Sequence, residues 1–156
     1  VGTGILVFSN ANTGAFNFLI NEVAGQKSIT RHVFATGATP ANPDYSDLWW
    51  NENESGWGVS ITQQYGTIFA TLFGYDSAGN PSWYIASDCR VFASGCGGDL
   101  YRVSGGSAAT AAWNGSGLLV TKIGFVDFAF GSNTSGTMNF FIDGVAGSKA
   151  IARGDF

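Results

Sequence analysis

Aromatic side chains that could stack on a sugar ring or enclose an apolar ligand are concentrated in the middle of the chain. They are Trp49, Trp50, Trp57, Trp83 and Tyr84. Flat aromatic rings supply apolar surface, and the indole N–H and phenol O–H supply hydrogen bonds that orient a ligand. The same side chains suit a packed core or the plug of a barrel, where they need no ligand. The sequence therefore predicts either a binding surface for a carbohydrate or small apolar ligand, or a core, at these positions.

Groups that could perform catalysis are sparse. Glu52 and Glu54 share a face if the chain is extended, and such a carboxylate pair could hydrolyse a glycosidic bond. Their two-residue spacing beside Asn and Ser indicates a solvated loop instead. His32 is the single histidine, and no nucleophile and acid accompany it to complete a triad. We expect no catalytic residue, no cofactor and no metal site, and a protein that is not an enzyme.

The two cysteines predict a disulfide. Cys89 and Cys96 have six residues between them, and the intervening loop contains a glycine. This spacing suits a bond that pins a hairpin, whereas zinc would need ligands that lie far away in the sequence. A disulfide favours an oxidising compartment, so we expect an extracellular or cell-surface location.

Composition and charge exclude some partners. The chain has 156 residues, of which 45% are hydrophobic and 12% charged, and its net charge is −4. Its lysines and arginines are scattered singly, so they form no basic stripe for nucleic acid or anionic membrane surfaces. No apolar run approaches the roughly 20 residues that span a bilayer, and we expect no membrane insertion. The first residue, Val1, is what a processed mature chain would present.

Apolar and polar residues alternate along most of the chain, which is typical of strands with one buried face. Phe16, Phe18 and Ile20 face one way, for example, while Asn17 and Asn21 face the other. We predict strands near residues 2–9, 14–21, 27–34, 56–64, 67–76, 81–88, 98–104, 118–130, 137–143 and 147–155.

A repeat divides the chain. Residues 1–34 recur as residues 123–156 at a constant offset of 122, with 13 of 34 positions identical. A stretch that contains two of the three prolines, residues 35–47, reads as a linker. We therefore predict an N-terminal three-strand module, a linker, and a unit at residues 48–156 whose last strands duplicate the module. The expected fold class is all-β, with an antiparallel up-and-down barrel or sandwich of about seven to eight strands plus the module.

Several motifs in the central region form a recognisable series. They are Trp49-Trp50-Asn51, Glu54-Ser55-Gly56-Trp57-Gly58, Thr67-Ile68-Phe69-Ala70-Thr71, Tyr75-Asp76 and Pro81-Ser82-Trp83-Tyr84. The series resembles a repeat of secreted bacterial proteins, and the resemblance covers roughly residues 45–156. Residues 27–31 and 149–153 resemble the end of that family's unit. The resemblance implies export and a tandem arrangement, and it carries over no active site because the family has no settled activity. A fainter likeness to avidin and other up-and-down barrels lacks their ligand-contacting residues.

The spare module carries the functional hypothesis. Three strands with one apolar face bury too little surface to stay folded alone. Residues 1–34 must therefore dock on their own unit, cap a preceding unit of a longer tandem array, or add strands to a neighbouring molecule. The docking residues predicted in the two copies are Phe8, Phe16, Phe18, Ile20, Ile29, Phe128, Phe130, Phe140, Ile142 and Ile151. We expect an extracellular structural protein, a self-associating subunit of a fibre or matrix. The alternative is a module that binds a carbohydrate or a small apolar ligand through the tryptophans.

Overall fold

The computed structural model describes residues 2–38 and 43–154, so residues 39–42 of the predicted linker and the repeat ends Val1 and 155–156 lie outside the described residues. Within the described ranges every regular element is a strand. The strands are β1 (Gly2–Phe8), β2 (Thr13–Ile20), β3 (Val23–Thr30), β4 (Asp47–Trp50), β5 (Gly58–Gln64), β6 (Thr67–Tyr75), β7 (Pro81–Phe92), β8 (Gly95–Ser104), β9 (Leu119–Phe130), β10 (Ser135–Ile142) and β11 (Val145–Arg153).

The eight strands β4 to β11 form a closed antiparallel barrel in which each strand pairs with its sequence neighbours. The barrel closes where β11 meets β4, with Ala152 opposite Trp50 and Arg153 opposite Trp49. Closure gives every strand two partners and removes the edges that an open sheet would expose. The all-β prediction is confirmed, and of the two architectures considered the barrel is the one that forms.

The barrel interior is packed by alternate residues of the strands. Trp49, Phe128 and Met138 are almost fully buried. The core continues ahead of β4, because the Tyr45 ring stacks on the Phe130 ring with centroids 3.8 Å apart. Trp49 is also held by a 2.9 Å hydrogen bond from its indole Nε1 to the Tyr45 carbonyl. Tyr45, which the sequence analysis placed in the linker, thus belongs to the barrel core.

The predicted disulfide is confirmed. Cys89 of β7 is bonded to Cys96 of β8, with Cα atoms 5.3 Å apart. The pairing of these strands shifts register between Ile85 and Arg90, and both cysteines point into the core, where they are fully buried. The bond therefore ties the two strands together at an irregular stretch of the ladder.

Several strand boundaries differ from the prediction: β7 and β8 run on to Phe92 and back to Gly95, β3 ends at Thr30, and β3 and β11 begin early. Strand β3 begins four residues earlier than expected, at Val23, because Asn21 and Glu22 both take positive φ, 48° and 68°, and make a two-residue turn. Such turns match the twist of the strands they join. Strand β11 begins at Val145 for the same reason, since the turn Asp143-Gly144 takes φ values of 49° and 85°.

The chain divides into two compact units. One comprises Val1–Val33 with Gly105–Gly117, and the other comprises Phe34–Ser104 with Leu118–Phe156. The first unit contains a three-stranded sheet in the order β1-β2-β3. Its second segment contacts the sheet, because Lys27 Nζ donates a 2.7 Å hydrogen bond to the Ala111 carbonyl. The second unit contains the barrel.

Candidate functional sites

The β1-β2-β3 sheet repeats the strand pairing of β9-β10-β11 residue for residue. In the sheet Gly2 lies opposite Ile20, and Phe8 opposite Gly14; in the barrel the positions 122 residues later pair in the same way, from Gly124 with Ile142 to Phe130 with Gly136. The second ladder also agrees, since Thr13 pairs with Thr30 and Ser135 pairs with Ala152. The sequence repeat is therefore a repeat of register.

Side chains and turns agree as well. A Cβ on Gly25 would lie 2.3 Å from Cζ of the Phe18 ring, and one on Gly147 would lie 2.2 Å from Cζ of Phe140. In both copies a phenylalanine ring thus covers a cross-strand glycine. The turn after the first strand is also shared, because the Arg31 amide donates to the Asn12 carbonyl at 2.7 Å and their counterparts 122 residues later bond at 2.9 Å.

The two copies differ in what surrounds them. In the barrel β9 pairs with β8 and β11 pairs with β4, whereas β1 and β3 are the outer strands of their sheet. Phe8 is 67% exposed, while its twin Phe130 is 4% exposed. Leu6 is 56% exposed, while its twin Phe128 is 1% exposed. The same strand positions are core in one copy and open surface in the other.

The predicted docking residues fall into two groups. In the sheet Phe18 is buried, Phe16 and Ile29 are half-buried, and Phe8 and Ile20 are exposed. The barrel members of the set lie in its interior, either buried or packed against the core: Phe128, Phe130, Phe140, Ile142 and Ile151. Of the predicted docking residues, the exposed ones thus belong to the N-terminal copy.

Two cations that are identical in the two copies also have different surroundings. In the barrel Lys149 pairs with Glu54, and its Nζ lies 5.0 Å from the centre of the Trp57 ring. Arg153 lies over Trp49, with Cζ 5.3 Å from the ring centre. Its Nη2 donates to the Asp44 carbonyl at 2.7 Å. In the first unit Lys27 meets a neutral carbonyl, as described above, and Arg31 is exposed.

A second candidate site is a cavity of about 550 Å³ at one end of the barrel. This volume lies in the range of small-molecule sites. The cavity is lined by β6, β10 and β11, by Tyr84 of β7, by the loop before β5 and by the turns after β6 and β10. Its lining residues include Trp57, Leu72, Tyr84, Met138, Phe140 and Lys149. The wall is therefore largely apolar, with one cation at its edge.

Ion pairs rim this cavity. Glu54 accepts hydrogen bonds from Lys149 and, at 3.0 Å, from Trp57 Nε1. The hydrogen bond from Lys149 lowers the pKa of Glu54 below its ordinary value. Asp143 pairs with Arg102, and that bond raises the pKa of the guanidinium. These pairs hold the loops around the opening, so the rim is charged while the wall is apolar.

The five predicted aromatic residues do not form one cluster. Trp49 is in the core, Trp57 and Tyr84 line the cavity, and Trp50 and Trp83 are exposed. Consecutive strand residues point to opposite faces of the sheet, which separates the two neighbouring pairs. The sequence analysis missed Leu72, Met138 and Lys149 as lining residues. The identity of Lys149 with Lys27 was the available signal for the lysine.

The carboxylates of Glu52, Glu54 and Asp76 are held in turns. Glu52 and Glu54 lie in a turn in which the Glu54 amide donates to the Asn51 carbonyl at 3.0 Å. Asp76 accepts bonds from the amides of Ala78 and Asn80, at 2.9 Å each, and those from Asn80 lower its pKa most. Among residues 2–38 and 43–154, His, Cys, Asp and Glu form no group of three that could hold a metal ion. The same residues include no helix long and apolar enough to cross a membrane.

Fold and sites together define an all-β protein with one closed barrel and an open copy of that barrel's last three strands. Comparison of the chain with protein-family models, curated proteins and solved structures gives no match in any of the three. The resemblance to secreted bacterial repeat proteins therefore stays a prediction, and function is argued from geometry.

Proposed function

We propose that this chain is a non-catalytic, extracellular structural protein that self-associates by adding strands to its β1-β2-β3 sheet. The observation that carries the proposal is the exposed state of the β1-β2-β3 sheet. Its strands pair in the same register as β9-β10-β11 of the barrel, yet Phe8, the counterpart of the core residue Phe130, is open to solvent. The Cys89–Cys96 disulfide is compatible with an extracellular location.

Strand β1 is suited to such addition. Its sequence GTGILVF contains neither charge nor proline, and every residue of it is exposed. Proteins that avoid edge pairing place lysine, proline or a bulge on such a strand. Here Ile5, Leu6, Val7 and Phe8 present apolar side chains on both faces. A second copy could pair with the free backbone groups of β1 and cover Phe8 at once.

Sedimentation velocity over a range of micromolar concentrations, with electron microscopy of the same samples, tests the proposal. We expect concentration-dependent oligomers that disappear when residues 1–34 are deleted, a change that retains all eight barrel strands. Val7→Lys should weaken association by placing a charge on the edge strand. Val120→Lys is the matched control, because Val120 is also exposed but lies in the barrel strand β9. A monomer at all concentrations, or oligomers indifferent to the deletion, would reject the proposal.

The barrel cavity supports a second candidate, a binding site for a small apolar ligand. The aliphatic wall made by Leu72, Met138 and Ile142 favours an apolar body over a sugar, whose hydroxyls need many hydrogen-bonding partners. Lys149 already occupies one approach to the Trp57 ring. The edge of the cavity could hold a polar or anionic end of the ligand.

Fluorescence titration with 1-anilinonaphthalene-8-sulfonate tests this candidate on the chain lacking residues 1–34, so that the open sheet cannot bind the dye. We expect binding that Trp57→Ala weakens and that the exposed-site control Trp50→Ala leaves unchanged. Equal binding by all three proteins, or none by the parent, would remove the candidate.

A further inference from the structure

The outer strands of the first unit have known counterparts within the same chain. Because the β1-β2-β3 sheet has the register of β9-β10-β11, the neighbours of the barrel triplet show what completes it. On one side stands β8, with Gly95 opposite Ala129 and Asp99 opposite Phe125. On the other side stands β4, with Trp49 opposite Arg153.

We propose that the β1-β2-β3 sheet is the closing segment of a second eight-stranded barrel, and that its partner is a five-strand meander of the β4–β8 type. This inference shares with the proposed function the requirement that the sheet is completed from outside its own unit, but it does not depend on association between copies of this chain. It goes further because it names the partner's strand number, sequence character and register.

The register can be carried over by subtracting 122 from each barrel position. The partner strand of the β8 type then places its equivalent of Gly95 opposite Val7 and its equivalent of Asp99 opposite Thr3. The partner strand of the β4 type places its equivalent of Trp49 opposite Arg31. Leu6 and Phe8 then point inward, where Phe128 and Phe130 lie in the existing barrel.

Lys27 and Arg31, which are identical to Lys149 and Arg153 of the barrel, indicate which side chains the partner supplies. In the barrel, Lys149 pairs with Glu54 and lies over the face of Trp57. Arg153 lies over the face of Trp49, and its Nε is 3.7 Å from the Asp47 carboxylate. A meander of the β4–β8 type supplies the same groups to the twin positions, Lys27 and Arg31. An aromatic ring attracts a cation placed over its face, so these contacts favour a partner that begins with a Trp-Trp-Asn segment followed by Glu-Ser-Gly-Trp.

The partner must be a meander that is not already closed by three strands of its own. Within one barrel, β4 to β8 are closed by β9 to β11, and exchange of one triplet for its twin would gain no new pairing. A five-strand meander that lacks its own closing strands would pair with β1 on one side and β3 on the other, and it would cover an apolar face of the sheet. Neighbouring units in a tandem arrangement would supply such a meander.

An extended chain tests the inference. Residues 43–122 are duplicated directly ahead of Val1, so that the added Lys122 joins Val1 as it joins Ile123 in the native order. We expect a second disulfide, with no free thiol after oxidative folding. We also expect amide hydrogen exchange in β1 and β3 to slow by roughly tenfold or more. A control extension with the same 80 residues in shuffled order should leave the exchange in β1 and β3 unchanged.

The outcomes separate the two proposals. If exchange in β1 and β3 is unchanged in the extended chain while the original chain still associates through residues 1–34, the partner is wrong and the proposed function stands. If the extended chain is insoluble, the segment 43–122 is added as a separate polypeptide during refolding of the full chain. Its capture by the full chain, lost on deletion of residues 1–34, supports the inference, and absence of capture overturns it.

Discussion

Truncation of one phenylalanine in each copy separates a folding role from an assembly role. Phe8 and Phe130 are the same residue at the same register position, opposite Gly14 and Gly136. Phe130 stacks on Tyr45 and is 4% exposed, so Phe130→Ala should lower the free energy of unfolding of the barrel by about 3–5 kcal/mol. Phe8 is 67% exposed, and Phe8→Ala in dilute protein should change it by less than about 0.5 kcal/mol.

Association should respond in the opposite way. Full burial of a phenylalanine side chain contributes about 1.5–3 kcal/mol. Because 67% of Phe8 is still exposed, roughly two thirds of that gain, about 1–2 kcal/mol, is left to be made on association. Phe8→Ala should therefore weaken self-association by roughly 5- to 30-fold.

Two measurements check this pair of expectations. Guanidinium unfolding followed by tryptophan fluorescence at low protein concentration gives the barrel stability, and sedimentation equilibrium gives the association constant. The reasoning is refuted if Phe8→Ala destabilises the barrel as much as Phe130→Ala, or if it leaves the association constant unchanged.

Other predictions follow from the barrel and the turns. The pKa of Glu54 is lowered, so its bond to Lys149 stabilises the barrel at pH values above the ordinary glutamate pKa, and this stabilisation is lost as the pH falls through the folded-state pKa. Glu54→Gln should therefore reduce the change in the unfolding midpoint between pH 7 and pH 3. An unaltered pH dependence of the midpoint would contradict this. The Cys89–Cys96 disulfide closes a short loop, so its reduction should lower the free energy of unfolding of the barrel by about 2.5 kcal/mol. Guanidinium unfolding with and without reductant measures this difference, and coincident curves would argue against it. Glu22 has φ 68° where its twin is glycine, so Glu22→Gly should stabilise the β2–β3 turn by about 1 kcal/mol and slow its amide exchange; faster exchange would be the contrary result.

The sequence repeat predicted a structural repeat because its identical residues lie at positions that determine strand register and turn conformation. Gly25 and Gly147 each lie beneath a phenylalanine ring that leaves no room for a Cβ. Val23 and Val145 each follow a two-residue turn. Residues of this kind determine strand register, so the offset of 122 residues in the sequence is also the offset between equivalent strand pairs in the structure.

Strand β4 escaped prediction for a physical reason. It has four residues, Asp47–Trp50, and only two of them pair with β11. Four residues are too few to show a clear alternation, and the pairing with β11 joins distant parts of the chain, which local sequence patterns do not report. The turn at Asn21-Glu22 was obscured in a different way, because glutamate rarely takes the positive φ that it has here.

The candidate sites were predictable only in part. Aromatic residues that are adjacent in sequence, Trp49 with Trp50 and Trp83 with Tyr84, were grouped by proximity, and the strand period then placed the members of each pair on opposite faces. The cavity joins residues from β6, β10 and β11, and its location follows from closure of the barrel. The exposed state of Phe8 could not be read from the sequence, because the same residue type at the twin position is buried.

Amide hydrogen exchange compared between the twin strands tests the central claim most directly. The account predicts that in dilute protein β1 and β3 exchange much faster than β9 and β11, and that in assembled protein the two sets become similarly protected. Equal protection of the twin strands in the dilute monomer, or unprotected β1 and β3 in the assembled material, would contradict the claim that this sheet is completed from outside its own unit.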